Sequence, residues 1–148
     1  MQFLTAKISK LGIEWNKKPL TEEDFYYLCA RSGIVVKEMP LVTNGFYYRV
    51  LGGNYIAIDS RLEPRKKLFV MFHEFAHFLL HSPDSGVAAG FHGVGKSRNE
   101  TEADAFALCA LIPKPWISTK SAQELIEVEG FTDKMVQERL EVFEKNRI

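Results

Sequence analysis

The chain has 148 residues, 46% of them hydrophobic and 26% charged, enough for one hydrophobic core and too few for two ordinary domains. Nineteen basic and 19 acidic residues cancel, so no global field draws the molecule to nucleic acid or to an anionic membrane. No apolar run approaches the roughly 18 residues of a membrane helix, and the start, MQFLTAKISKLGIEW, has neither an apolar h-region nor a small-residue cleavage site. We therefore expect one domain over residues 1–148, with about the first 20 at its periphery and 121–148 as a helical C-terminal segment.

Thr21 followed by Glu22, Glu23 and Asp24 is an N-cap signature, and Phe25, Leu28 and Cys29 recur at helical spacing until Gly33. Ile34 to Met39 is β-branched and ends at Pro40, while Gly45 to Leu51 and Tyr55 to Asp59 flank Gly52-Gly53-Asn54. These segments predict a strand and then a hairpin. From about Pro64, Leu68, Phe69, Val70, Met71, Phe72, Phe75, Ala76, Phe78, Leu79 and Leu80 leave no polar face, the mark of a buried helix. Ser82 to Gly95 holds four glycines (Gly86, Gly90, Gly93, Gly95) without periodicity and predicts a long loop. A second core helix is expected from about Arg98 to Ile112, ended by Pro113 and Pro115. Helical stretches then cover Ala122 to Val128 and, after a Thr132 N-cap, Asp133 to Lys145. Cys29 and Cys109 fall inside helical patterns rather than in CxxC spacing, as buried free thiols of a reducing cytoplasm would.

The buried helix carries His73-Glu74-Phe75-Ala76-His77. Residues four apart share a helix face with side-chain origins about 5–6 Å apart, so both histidines can bring a ring nitrogen to one ion. Glu74 lies about 100° around the helix, beside the ion rather than on it. There a carboxylate can take a proton from water activated by the metal. An HExxH arising by chance in a chain of this size is on the order of one event in a few hundred, and three ionisable groups in an apolar helix are costly unless paired or metal-bound.

A catalytic zinc takes three protein ligands and leaves one position open. His81, two turns on, lies roughly 12 Å from His73 along the axis and cannot share its ion, so we read it as a residue of the helix C-terminus or a local hydrogen-bonder. The preferred third ligand is Glu100, in Asn99-Glu100-Thr101-Glu102-Ala103-Asp104, because Glu100, Ala103, Asp104, Ala107, Leu108 and Leu111 share one face. Glu102 points roughly the other way and is the alternative. Asp104 is placed to accept the second N–H of a ligating histidine. His92, in the glycine-rich loop, and Tyr47, Tyr48 or Tyr55, in the hairpin, are candidates to stabilise an oxyanion.

HEFAH followed by NETEAD is similar to the HExxH plus NExxxD signature of gluzincin metallopeptidases, in which the glutamate after the asparagine completes the site. More closely, LFVMFHEFAHFLLH, RNETEADAFALCALIP and GFTDKMVQERLEVF together resemble the ImmA/IrrE family of bacterial metallopeptidases, over roughly residues 20 to 145. Where that family usually reads FAxxLLMP, this chain has Phe106 to Pro113 as FALCALIP, a departure in packing residues that leaves the ligands untouched.

The resemblance implies an α+β, zincin-like fold with a small, mostly antiparallel sheet on the active-site helix and a helical C-terminus. It also implies a zinc hydrolase that cleaves a helix-turn-helix repressor or related regulator, an anti-repressor role in mobile-element or stress-response control. The partner is then a protein, with no direct nucleic-acid or membrane contact. The alternative is a non-catalytic zinc-binding regulatory or interaction protein, with contact to DNA through the C-terminal helices as one mode; the seven acidic and four basic residues from Ser121 to Ile148 oppose that mode. HEFAH is also similar to the motif of peptide deformylase, but neither cysteine stands in the segment that family uses as a ligand.

Overall fold

A computed structural model describes residues 2–81 and 97–148. Among these, helices α1 (Gln2–Ser9) and α2 (Glu22–Arg31) precede strands β1 (Ile34–Met39), β2 (Gly45–Val50) and β3 (Gly53–Asp59). Helices α3 (Pro64–Leu80), α4 (Arg98–Leu111), α5 (Lys114–Thr119), α6 (Ala122–Glu127) and α7 (Asp133–Asn146) follow. The fold is α+β, as expected.

Local chemistry sets the helix starts. Thr21 and Asp24 form a reciprocal capping box on α2, Glu63 accepts from the backbone of Arg65 and Lys66 ahead of Pro64, and Thr132 caps α7. Each satisfies N–H groups that the first turn cannot pair internally. Two short helices, α1 and α5, have no counterpart among the expected elements.

The sheet is mixed rather than mostly antiparallel. Its order is β1-β3-β2: β2 pairs antiparallel with β3, and β1 pairs parallel with β3 from Ile34↔Asn54 to Met39↔Asp59. Burial explains the order, because β3 carries the continuous buried run Ile56 to Asp59 and takes the centre. The hairpin turn is tighter than predicted. Leu51 and Gly52, at φ 50° and 78°, make a two-residue loop, and Gly53 already pairs with Val50. Such loops match the strand twist when both central residues are left-handed, which Gly52 accepts freely and Leu51 only under strain.

Helix α3 packs against the sheet on one side and α4 on the other. Phe72 and Phe75 meet Phe106 of α4 at ring-centroid distances of 6.5 and 6.1 Å, and Phe78 meets Tyr47 of β2 at 6.0 Å. The N-terminal segment sends three side chains into the core. Ile8, Trp15 and Leu20 are buried, Trp15 stacks on Phe106 and donates to its carbonyl at 3.0 Å, and Leu20 N–H donates to Ala110 O at 2.8 Å. Both cysteines are buried, and burial pushes their thiols up, Cys29 to about 12 and Cys109 to about 11.

Two polar clusters tie the layers together. Lys67 of α3 and Tyr26 of α2 both bind the Glu38 carboxylate on β1. Burial pushes Glu38 up, but these hydrogen bonds outweigh it and hold the carboxyl below its usual range. A depressed carboxylate stabilises the fold above its unfolded value of about 4.3 and ceases to do so as pH falls through the folded value. Glu38→Gln should therefore cost roughly 0.5–1 kcal/mol at neutral pH, and urea melts of the two proteins should converge in acid.

The second cluster centres on Arg139 of α7, which is fully buried. Its guanidinium donates to Ile112 O (2.6 Å), Ile148 O (2.9 Å) and Asn16 Oδ1 (3.0 Å), joining α7 to the end of α4 and the N-terminal segment. Arg139→Met should leave the Ile112 carbonyl unsatisfied and cost about 2–4 kcal/mol, read as a lower midpoint in denaturant.

Candidate metal centre

Helix α4 lies along α3, and each of three acidic residues on it meets a histidine of α3. Glu102 faces His81, Glu100 faces His77 and His73, and Asp104 faces His73. The Nε2 atoms of His73 and His77 lie 3.2 Å apart. Two ligands bound at roughly 2.0–2.1 Å in tetrahedral directions stand about 3.3 Å apart, so the pair is spaced for one ion. The Glu100 carboxylate spans both rings, with Oε1 2.6 Å from His77 Nε2 and Oε2 3.2 Å from His73 Nε2. Ligand atoms of His73, His77 and Glu100 all fall within 4.8 Å of one another. This donor set of two imidazoles and one carboxylate suits zinc.

Asp104 Oδ1 lies 2.8 Å from His73 Nδ1, on the side of the ring away from Glu100. Burial alone would lower the pKa of His73, but Asp104 and Glu100 outweigh it and raise it to about 10. Glu100 is pushed up by burial and pulled down further by the two histidines, ending well below the usual carboxylate range.

Glu74 is also buried, with Oε2 3.9 Å from His73 Nε2. Burial raises its pKa above the usual value against the pull of both histidines and a backbone hydrogen bond from Tyr47. Its Oε1 is buried without a hydrogen-bond partner. A cavity of about 280 Å³ opens beside His73, Glu74 and Glu100, walled by Asn44, Gly45, Phe69 and Val70. A second cavity of about 480 Å³ shares Asn44, Phe69 and Val70 and continues to Thr132 and Met135 at the start of α7.

Several site residues were not legible in the sequence. Asn44 and Gly45 belong to no motif. A Cβ on Gly45 would stand 2.8 Å from both Ala57 O and Val70 Cγ1, so only glycine lets β2 approach α3 at the cavity. Tyr47 reaches the site through its backbone, its hydroxyl donating instead to Asn54 Oδ1 at 2.7 Å. Tyr48 and Tyr55 stack on each other at 5.1 Å. None of the three tyrosines lines the cavity beside His73, Glu74 and Glu100. His92 and the loop glycines lie outside the described residues. Glu102 is buried and binds His81 at 3.3 Å rather than joining the ligand group.

Residues 29–142 match the family profile described as the IrrE N-terminal-like domain, a peptidase family. The chain belongs to that family. No curated protein gives a significant match. The match includes the whole cluster from His73 to Asp104, and the family is one of zinc metallopeptidases of the ImmA/IrrE type. No helix among the described residues is long and apolar enough to cross a membrane.

An ion that binds only the folded protein stabilises it by mass action. Zinc at about a hundred times its Kd should add about 2.7 kcal/mol. His77→Ala should abolish the shift in thermal melts, and the wild-type shift should shrink as pH falls and protons compete for the histidines.

Proposed function

We propose that this protein is a zinc-dependent endopeptidase whose ligands are His73, His77 and Glu100 and whose general base is Glu74. One observation carries the reading: Glu74 presents a buried oxygen without a hydrogen-bond partner beside the ligand cluster. A purely structural zinc site has no use for a base there.

Zinc, when bound, supplies a Lewis acid that polarises the scissile carbonyl and acidifies the attacking water. Glu74 accepts the proton of that water, since burial has raised its basicity, and returns it to the departing amine. A backbone hydrogen bond from Tyr47 favours the charged form of the Glu74 carboxylate against the effect of burial. Asp104 fixes the ring of His73 through Nδ1. The two adjoining cavities, sharing Phe69 and Val70, give room for side chains on both sides of a bond at the metal.

For the substrate we favour a helix-turn-helix repressor or related regulator, on the strength of the family resemblance, which also argues for the cytoplasm. Direct DNA binding by the C-terminal helices is disfavoured further by the burial of Arg139, which removes a cation from an already acidic segment.

Glu74→Gln should retain zinc and lose about 10²–10⁴-fold in turnover. Co-expression with candidate repressors should yield a fragment only with the wild type and a trapped complex only with Glu74→Gln. A fully active Glu74→Gln would sink the mechanism; the absence of any cleaved regulator would sink the substrate class alone.

A further inference from the structure

The two histidine ligands are backed differently. His73 Nδ1 meets a carboxylate directly, at Asp104. His77 Nδ1 meets another ring, with His81 Nδ1 2.9 Å away. The far nitrogen of that ring, His81 Nε2, lies 3.3 Å from Glu102 Oε1. The His81 side chain is only 8% exposed and that of Glu102 only 9%. Burying a carboxylate there is costly unless a donor satisfies it. The nearby cation, Arg98, is a poor substitute, because it is 84% exposed and stands 4.0 Å from the same oxygen.

We infer that His81 and Glu102 are positioning residues that fix the tautomer of His77 through a three-member relay, from Glu102 through His81 to the ligand ring. The inference rests on the metal-site reading above. On the metal-site reading, His77 Nε2, which stands beside Glu100 Oε1 and His73 Nε2, gives its lone pair to the ion, and the neutral ring then carries its proton on Nδ1. That proton points at His81 Nδ1, which must accept it. His81 is thereby left with its own proton on Nε2, directed at the Glu102 carboxylate. This proton arrangement satisfies each contact from Glu102 to His77 Nδ1 and leaves the lone pair of His77 Nε2 directed at the ligand group. The reverse, with His81 donating from Nδ1, requires a proton on His77 Nε2 and forbids ligation.

The relay also accounts for two features of the sequence that the ligand set leaves over. His81 lies one helical turn beyond His77, too far to reach the ion yet in reach of its neighbour's ring. Glu102, between Glu100 and Asp104, points along α4 to the end of α3 rather than to the cavity. Partners of this kind orient a ligand ring and raise its basicity, and losing one typically weakens metal binding by about 10–100-fold.

Zinc affinity, measured by competition with a chromogenic chelator, should fall about 10–100-fold in His81→Phe, which keeps a ring but removes both nitrogens. His81→Gln, which offers an acceptor to His77 and a donor to Glu102, should recover most of the loss. Glu102→Gln, still an acceptor, should lose less than His81→Phe. Long-range ¹H–¹⁵N correlation spectra of the zinc-loaded wild type should place the protons on His77 Nδ1 and His81 Nε2, and they decide the matter even where a variant fails to fold. A proton on His81 Nδ1, or full zinc affinity in a folded His81→Phe, would overturn the relay and leave the peptidase reading intact. A wild type that binds no zinc would overturn both.

Discussion

The structure turns on one meeting of helices: the histidines of α3, at positions 73, 77 and 81, against the acids of α4, at 100, 102 and 104. Six polar side chains in an apolar interface would be ruinous unless they satisfied one another. Helical spacing of four on α3 and two on α4 lets them do so, because α4 presents Glu100 and Asp104 on one side and Glu102 on the other. The phenylalanines below them, Phe72, Phe75 and Phe106, set the separation and angle of the two helices. Packing thus fixes where the polar groups stand, and the polar groups fix which way the rings turn.

The rest of the fold braces this pair. Trp15 and Leu20 clamp the back of α4 through its carbonyls, and Arg139 closes its C-terminal end with a fan of hydrogen bonds. On the opposite side the sheet leans on α3, and Gly45 permits an approach that a side chain would block. That approach brings the backbone of Tyr47 to Glu74, so the sheet contributes to the site through main chain rather than through its aromatic side chains.

The motif-bearing helices were legible in the sequence because their periodicity is long and their spacing chemical. HExxH fixes two ring positions by itself, and the shared face of Glu100, Ala103 and Asp104 pointed to the two carboxylates that the structure brings beside those rings. The sheet order was less legible. Alternation identifies a strand but not its neighbour, and only the buried run of β3 shows why it sits between the other two. Contributions from backbone and from empty space, as at Tyr47 and Gly45, leave no trace in residue type. Glu102 illustrates a subtler limit. Its direction away from Glu100 was correctly read, but that direction leads to His81 rather than to water, which only the packing of α4 along α3 reveals.

Two glutamates of the same cavity show how environment separates the roles proposed for two residues of one type. Glu100 touches both ring nitrogens, and their hydrogen bonds hold it charged far below the ordinary range. Glu74 stands 3.9 Å from His73 in a drier place, where burial wins and its pKa rises. A ligand must stay ionised through the whole cycle, whereas a base must take a proton and give it back. Opposed shifts within one cavity are therefore what the assignment requires. They follow from one turn of geometry: Glu74 sits on α3 beside the histidines, and Glu100 reaches across from α4 into the space between their rings.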